Sequence, residues 1–215
     1  MRKIIFSKDR LQNDWFDSYS WFSIAYPKGL APRDYLDFAE LDFAEGKMQR
    51  NLINSISNAK RALHLEVETL CDAFGLAHSK KKAKTFPQKL EFIGNCGLVK
   101  QRLLAKLNET RNSVEHEYYV PTEDEVENFI DAVELFVDAM RLTRSRYPCD
   151  VKLNDALDDS GEYQAKSIGM DFRKGLMHFE IFSVSDRQAK PIHQEISVND
   201  ADYFLWVSFI LRNNY

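Results

Sequence analysis

Arg111, Asn112, His116 and Tyr118 gather a guanidinium, an amide, an imidazole and a phenol within eight residues. Imidazole is the side chain whose ordinary pKa suits proton transfer near neutrality. Guanidinium is a permanently charged fork that matches phosphate. RNA cut at its own 2′-hydroxyl needs these functions: a base, an acid for the leaving 5′-oxygen, and a cation for the phosphorane. The surrounding stretch, Lys100–Tyr119, reads as a helix, because Leu104, Leu107, Arg111, Val114 and Tyr118 recur at steps of three and four. Arg111 stands where that stripe calls for an apolar residue, which is costly unless its charge is paired or used. Asn112 and His116 share the neighbouring face. On a regular helix Arg111 and His116 diverge by about 140°. A tight site therefore requires two such helices, related by a two-fold axis.

The string Arg111-Asn112-Ser113-Val114-Glu115-His116-Glu117-Tyr118 resembles the R-x4-6-H signature of the HEPN superfamily, with a polar residue directly after the arginine. It is similar to the R-x4-H-x-Y form of HEPN toxins paired with a minimal nucleotidyltransferase. The resemblance implies an antiparallel helical bundle with the motif near the end of a late helix. It implies a homodimer whose facing Arg111 and His116 cleave RNA without metal or cofactor, leaving a 2′,3′-cyclic phosphate. His116 would be base or acid, Arg111 would hold the scissile phosphate, and Asn112 would orient His116 or bind ribose. Tyr118 would accept AMP groups from a nucleotidyltransferase antitoxin, in a toxin–antitoxin or phage-defence pair. The plain reading of Tyr118 is the next core residue of the stripe. Glu115 and Glu117 raise the pKa of His116 or pair with Arg111. A second reading is a non-catalytic HEPN-like dimer that binds nucleotide or RNA, or serves assembly, with Arg111–Glu115 a structural salt bridge. A third is a small-molecule enzyme with its pocket between bundle and tail, for which no nucleophile motif is present.

The 215 residues are enough for one large or two small domains, and 44% apolar content supports a packed core. A net charge of -4 argues against a generally basic coat while leaving room for a local basic groove. The three cysteines, Cys71, Cys96 and Cys149, are widely spaced and fit a reduced, cytoplasmic compartment. No metal-ligand spacing, signal peptide or membrane span is expected.

The chain divides into an aromatic-rich N-terminal arm (1–32), a HEPN-like helical bundle (33–147) and a small α+β region (148–215). The expected fold is thus mainly α with a smaller α+β part. In the arm, Trp15, Phe16, Tyr19, Trp21, Phe22 and Tyr26 follow neither helical nor alternating spacing. The arm packs over the body or forms a dimer or ligand surface, and Arg2–Phe6 is a candidate strand. Pro32 opens a helix through the LDFAE-LDFAE doublet (36–45), whose copies point about 140° apart and make a broad apolar surface.

Lys47–Phe74 carries Leu52, Ile56, Ala59, Leu63, Val67, Leu70 and Phe74 on one stripe and stops at Gly75. His64, off the stripe, has Glu68 one turn on and reads as a surface ion pair. Lys80, Lys81, Lys82 and Lys84 form a solvated loop, and are the candidates for phosphate contact with RNA. Thr85 with Gln88, and Thr122 with Glu125, are capping boxes for two further helices. The second buries Val126 through Met140, its arginines suit its C-terminus, and Pro148 closes it. Beyond it, Tyr163–Phe172 and Leu176–Val184 read as a β-hairpin, with Pro191–Val198 a third strand at an edge. Asn199, with Asp202 in the first turn, caps a last helix through about Arg212, apolar nearly all round; a strand through Tyr203–Leu211 is the alternative.

Overall fold

The computed structural model describes residues 4, 6, 15–27, 29–81, 83–99, 119–186 and 188–213, with the backbone alone at Phe172. Among them are five α-helices: α1 (Pro32–Glu45), α2 (Gln49–Ala73), α3 (Phe86–Asn95), α4 (Glu123–Ser145) and α5 (Tyr203–Asn213). There are five strands: β1 (Phe16–Phe22), β2 (Tyr147–Leu157), β3 (Tyr163–Asp171), β4 (Leu176–Ser183) and β5 (Ile192–Ser197). The strands form one antiparallel sheet in the order β1-β2-β3-β4-β5.

This sheet overturns the expectation of a mainly α protein, a HEPN-like bundle followed by a three-stranded region and a helix. The fold is a sheet-rich α+β arrangement. Two strands account for the difference. β1 comes from the aromatic stretch, and its register against β2 shifts between Phe16 and Ser18 and again between Ser20 and Trp21. Each irregularity breaks the two-residue period by which a strand is recognised. β2 begins at Tyr147-Pro148, where Pro148 was expected to end a helical segment. Pro148 pairs with Trp21 of β1, before the β3 ladder begins at Asp150, so its missing N–H leaves the β2–β3 ladder intact. Farther on, Asp155 has φ 47° and the β3 pairing jumps from Lys152 to Ala156, again hiding the alternation. The β3–β4 hairpin and the edge strand β5 form where the alternation predicts them.

The helices α1, α2 and α4 pack on one another, and α3 lies against α2. The stripe of α2 from Leu52 to Leu70 is buried, as are Val126, Phe129, Ile130, Val133, Phe136, Val137 and Met140 of α4. The doublet of α1 splits as its geometry dictates: Leu36 is fully buried while Leu41 is 66% exposed. The broad apolar surface is therefore only half used. Glu68 pairs with Lys89 (2.6 Å), and His64 stacks on Phe86 at 4.1 Å.

The last helix is the strut between the halves. Trp206 of α5 meets Phe179 of β4 edge-on (5.0 Å) and Phe6 at 5.9 Å, and Phe209 meets Phe16 of β1 (4.9 Å). On its other side the Tyr203 hydroxyl donates to the Phe74 carbonyl at the end of α2 (2.9 Å). Gly97, after α3, permits the closest approach, because a Cβ there would stand 2.4 Å from Ser208 Oγ.

A buried ion pair marks the helix–sheet junction. Glu66, fully buried in α2, accepts from Arg144 Nε of α4 (2.8 Å) and from the Tyr26 hydroxyl (2.5 Å). Burial raises the Glu66 carboxyl above its ordinary value, and Tyr26 and Arg144 oppose that shift. Arg144 also lies over the Tyr26 ring (4.6 Å) and its carbonyl accepts from Ile24 N–H (2.8 Å). Arg144→Ala strands the carboxyl and is expected to destabilise the protein by about 3–5 kcal/mol, whereas Glu66→Leu with Arg144→Met costs far less than the two single changes together. Urea melts of the three variants check this, and an unaltered Arg144→Ala midpoint would refute it.

The cap of α4 carries a pH dependence. Glu125 N–H donates to Thr122 Oγ1 (3.3 Å) and Glu125 Oε2 accepts from Thr122 N–H (2.8 Å). That backbone donor holds the Glu125 carboxyl below its ordinary value. A lowered carboxyl contributes stability that is present above its unfolded-state pKa and is lost as pH falls through the folded value. The stability gap between wild type and Glu125→Ala should shrink as pH drops below the ordinary carboxylate range, as read from urea melts. A gap independent of pH would show that the charged cap contributes nothing.

Candidate functional site

Arg111, Asn112, His116 and Tyr118, and also Lys82, lie outside the described residues. The next residue, Tyr119, donates its hydroxyl to Glu125 Oε2 (2.9 Å), which ties the chain just after the motif to the cap of α4. Of the remaining candidates, Lys80 and Lys81 come together on the wall of an open cleft of about 780 Å³. Lys84 is exposed, and its backbone N–H donates to Gln88 Oε1 (2.9 Å) in the cap of α3.

The cleft is made by three chain segments, each positioned by local chemistry. The first is the turn after α2. Gly75 adopts φ 79°, a conformation that glycine enters at no Cβ cost, and the 3₁₀ turn Leu76–His78 follows. The second is α3, started by Gln88 Oε1, which accepts from Thr85 N–H (3.1 Å). The third is the bend from β5 into α5. There Asp200 Oδ2 accepts from Ser197 N–H (2.7 Å) and Ser197 Oγ–H (2.8 Å), and the Asp200 carbonyl accepts from Tyr203 N–H (3.2 Å). The carboxylate of Asp200 thus shapes the bend, and α5 begins at Tyr203, with the Asp202 carbonyl just before it accepting from Trp206 N–H (3.1 Å).

Asn199 instead joins two walls. Its Oδ1 accepts from Lys80 N–H (2.7 Å) and its Nδ2 donates to the His78 carbonyl (3.1 Å). This bridge spans 119 residues of sequence, so no local signal announces it. Leu76, Phe92, Val198 and Phe204 supply the apolar floor. Val198 is held close by Gly175, whose carbonyl accepts from Val198 N–H (2.7 Å). Phe92 and Phe204 meet edge-on at 5.5 Å; Phe92 is buried and Phe204 half-buried.

The rim is of mixed charge. Lys80 and Lys81 are exposed and their ammonium groups make no ion pair among the described residues. Glu91 and Asn95 of α3 stand exposed on the same rim, while the Asp200 carboxylate is engaged by Ser197. The cleft can therefore take an anionic group at the lysines, a flat apolar group at Phe204 and a hydrogen-bond donor at Glu91. Sequence reasoning found the lysines and missed the floor, because Phe92 and Phe204 lie on separate helices that only the fold brings together. Among the described residues no three His, Cys, Asp or Glu side chains are grouped to hold a metal ion.

Comparison of the chain with protein-family models, with curated proteins and with solved structures returns no match.

Replacing Asn199 by Ala removes both hydrogen bonds of the bridge. The expected result is a loss of roughly 1–2 kcal/mol and faster amide exchange at Ser79–Lys81, with α2 unaffected. Exchange in that turn equal to wild type would show that Asn199 does not hold the wall.

Proposed function

We propose that the chain is a metal-independent endoribonuclease of the HEPN type. In this reading His116 moves the proton of the 2′-hydroxyl or of the leaving oxygen, Arg111 holds the phosphate, and Asn112 orients His116 or binds ribose. The product end is a 2′,3′-cyclic phosphate. A homodimer completes the site in this reading, since on a regular helix Arg111 and His116 would point about 140° apart. The observation that carries the reading is the order Arg111-Asn112, His116, Tyr118, with Arg111 set in a stripe that otherwise holds Leu104, Leu107, Val114 and Tyr118. It combines a phosphate-binding cation with a proton-transfer group.

The proposed setting is a toxin–antitoxin or phage-defence pair. AMP added to Tyr118 by a nucleotidyltransferase partner blocks the site by bulk and negative charge. The cytoplasm suits the cysteines, which are free, with Cys71 and Cys96 buried. Burial pushes the Cys71 thiol up to about 12. Among the described residues no helix is long and apolar enough to cross a membrane.

The cleft favours a second reading, a non-catalytic dimeric module that binds RNA or nucleotide. Lys80, Lys81 and Phe204 offer charge and an aromatic edge without calling on the motif.

Labelled RNA incubated with the purified chain in EDTA separates the two. Under the nuclease reading the wild type cleaves, and His116→Ala and Arg111→Ala each lose roughly 10²–10⁴-fold. RNA bound but intact with folded wild type, free of any adduct on Tyr118 by mass spectrometry, supports the binding module and rejects the nuclease. Equal cleavage by all three proteins removes Arg111 and His116 from the chemistry.

A further inference from the structure

We propose that the cleft between the Lys80–Lys81 turn, α3 and the start of α5 is a binding site for single-stranded RNA, with one unstacked base on Phe204 and its flanking phosphates on the two lysines. This deepens the nuclease reading by naming the form of its substrate, and it rests on that reading for the choice of RNA.

Four observations lead there. The cleft, at about 780 Å³, falls within the range of roughly 300–1,000 Å³ typical of sites for small ligands. That admits a nucleotide unit and not a duplex. Lys80 and Lys81 present ammonium groups without an ion pair among the described residues, where an anion compensates them best. Phe204 is half-buried with its ring braced edge-on by Phe92 (5.5 Å), so it is a preorganised apolar surface of the kind on which bases stack. The walls are fixed to one another by Asn199 through Lys80 N–H and the His78 carbonyl, so the lysine turn and Phe204 hold a constant relation.

The rim adds selectivity. Glu91 and Asn95, both exposed on α3, lie where a base edge with N–H donors meets an acceptor. A carboxylate on that rim repels a second phosphate, which favours a strand that crosses the cleft once over one that fills it with backbone. A duplex keeps its bases stacked and hides their faces from Phe204.

The test uses the full chain carrying His116→Ala, so that the RNA survives, and a fluorescent single-stranded RNA octamer read by anisotropy across a salt series. Lys80→Ala with Lys81→Ala should weaken binding at least tenfold at low salt and lower the slope of log affinity against log salt by about 1.4, at about 0.7 per phosphate contact. Phe204→Leu should weaken binding by roughly 5–150-fold with the slope unchanged. A duplex of the same length should compete poorly. The proposal is overturned if the lysine pair leaves affinity and slope as they were, if Phe204→Leu is neutral in a protein with wild-type melting, or if the duplex competes equally. The two readings fail separately. Loss of binding in these variants with no cleavage by the His116-intact chain sinks the nuclease alone. Motif-dependent cleavage with cleft variants that bind normally sinks the cleft proposal alone.

Discussion

A carboxyl group without solvent in the middle of a long helix has to find donors, and Glu66 finds two. Arg144 reaches it from the last turn of α4 and Tyr26 from the segment that leaves β1. The pair is therefore a positional constraint more than a source of stability, since two desolvated charges barely recover what water offered them. It holds the end of α4 against the middle of α2. β2 starts directly after α4, and the Tyr147 hydroxyl donates to the Ala73 carbonyl at the end of α2 (2.5 Å). The same guanidinium also faces the Tyr26 ring. Helices α2 and α4 meet the first strands at this set of contacts, and the direction in which β1 and β2 set out is decided there.

From that junction the sheet grows outward, and α5 is laid across it. The helix is apolar nearly all round because both sides are used. Trp206 and Phe209 face the sheet, and Tyr203 and Ser208 face the ends of α2 and α3. A helix with a single packed face would not bring the bend after β5 against the turn after α2. Because α5 does, Val198, Asn199 and Phe204 meet Leu76, Lys80 and Phe92, and the cleft exists. Its rigidity comes from the same source: Asn199 can bridge the two walls only because α5 is anchored at both ends.

The cleft and the motif divide the chemistry between them in the reading proposed here. The lysine turn and Phe204 supply binding, which is tolerant of sequence and sensitive to salt. Arg111 and His116 supply the charge and proton transfer that cutting requires. An acidic protein with a net charge of -4 is compatible with this division, because only a local pair of exposed lysines is needed where the strand lies.

Helices with a clean three-four period and a capping box were legible from the residues alone. So were the hairpin β3–β4, the edge strand β5, and the basic turn, because each depends on neighbours within a few positions. The amphipathic stripe of α2, the Thr122–Glu125 box and the Gly75 stop all have this local character. What lay beyond reach depends on partners far along the chain. β1 is a strand because β2, over a hundred residues later, offers it hydrogen bonds across two irregular registers. Arg144 was expected only to suit the C-terminal end of its helix; its pairing with Glu66 is set by the packing of α2 on α4, which encloses them. Asn199 looked like a helix cap, and it became the bridge of the cleft when α5 brought it to Lys80. Local period and capping chemistry are written in sequence spacing; burial of charge, sheet recruitment and the walls of a cleft are set by distances in space that spacing does not encode.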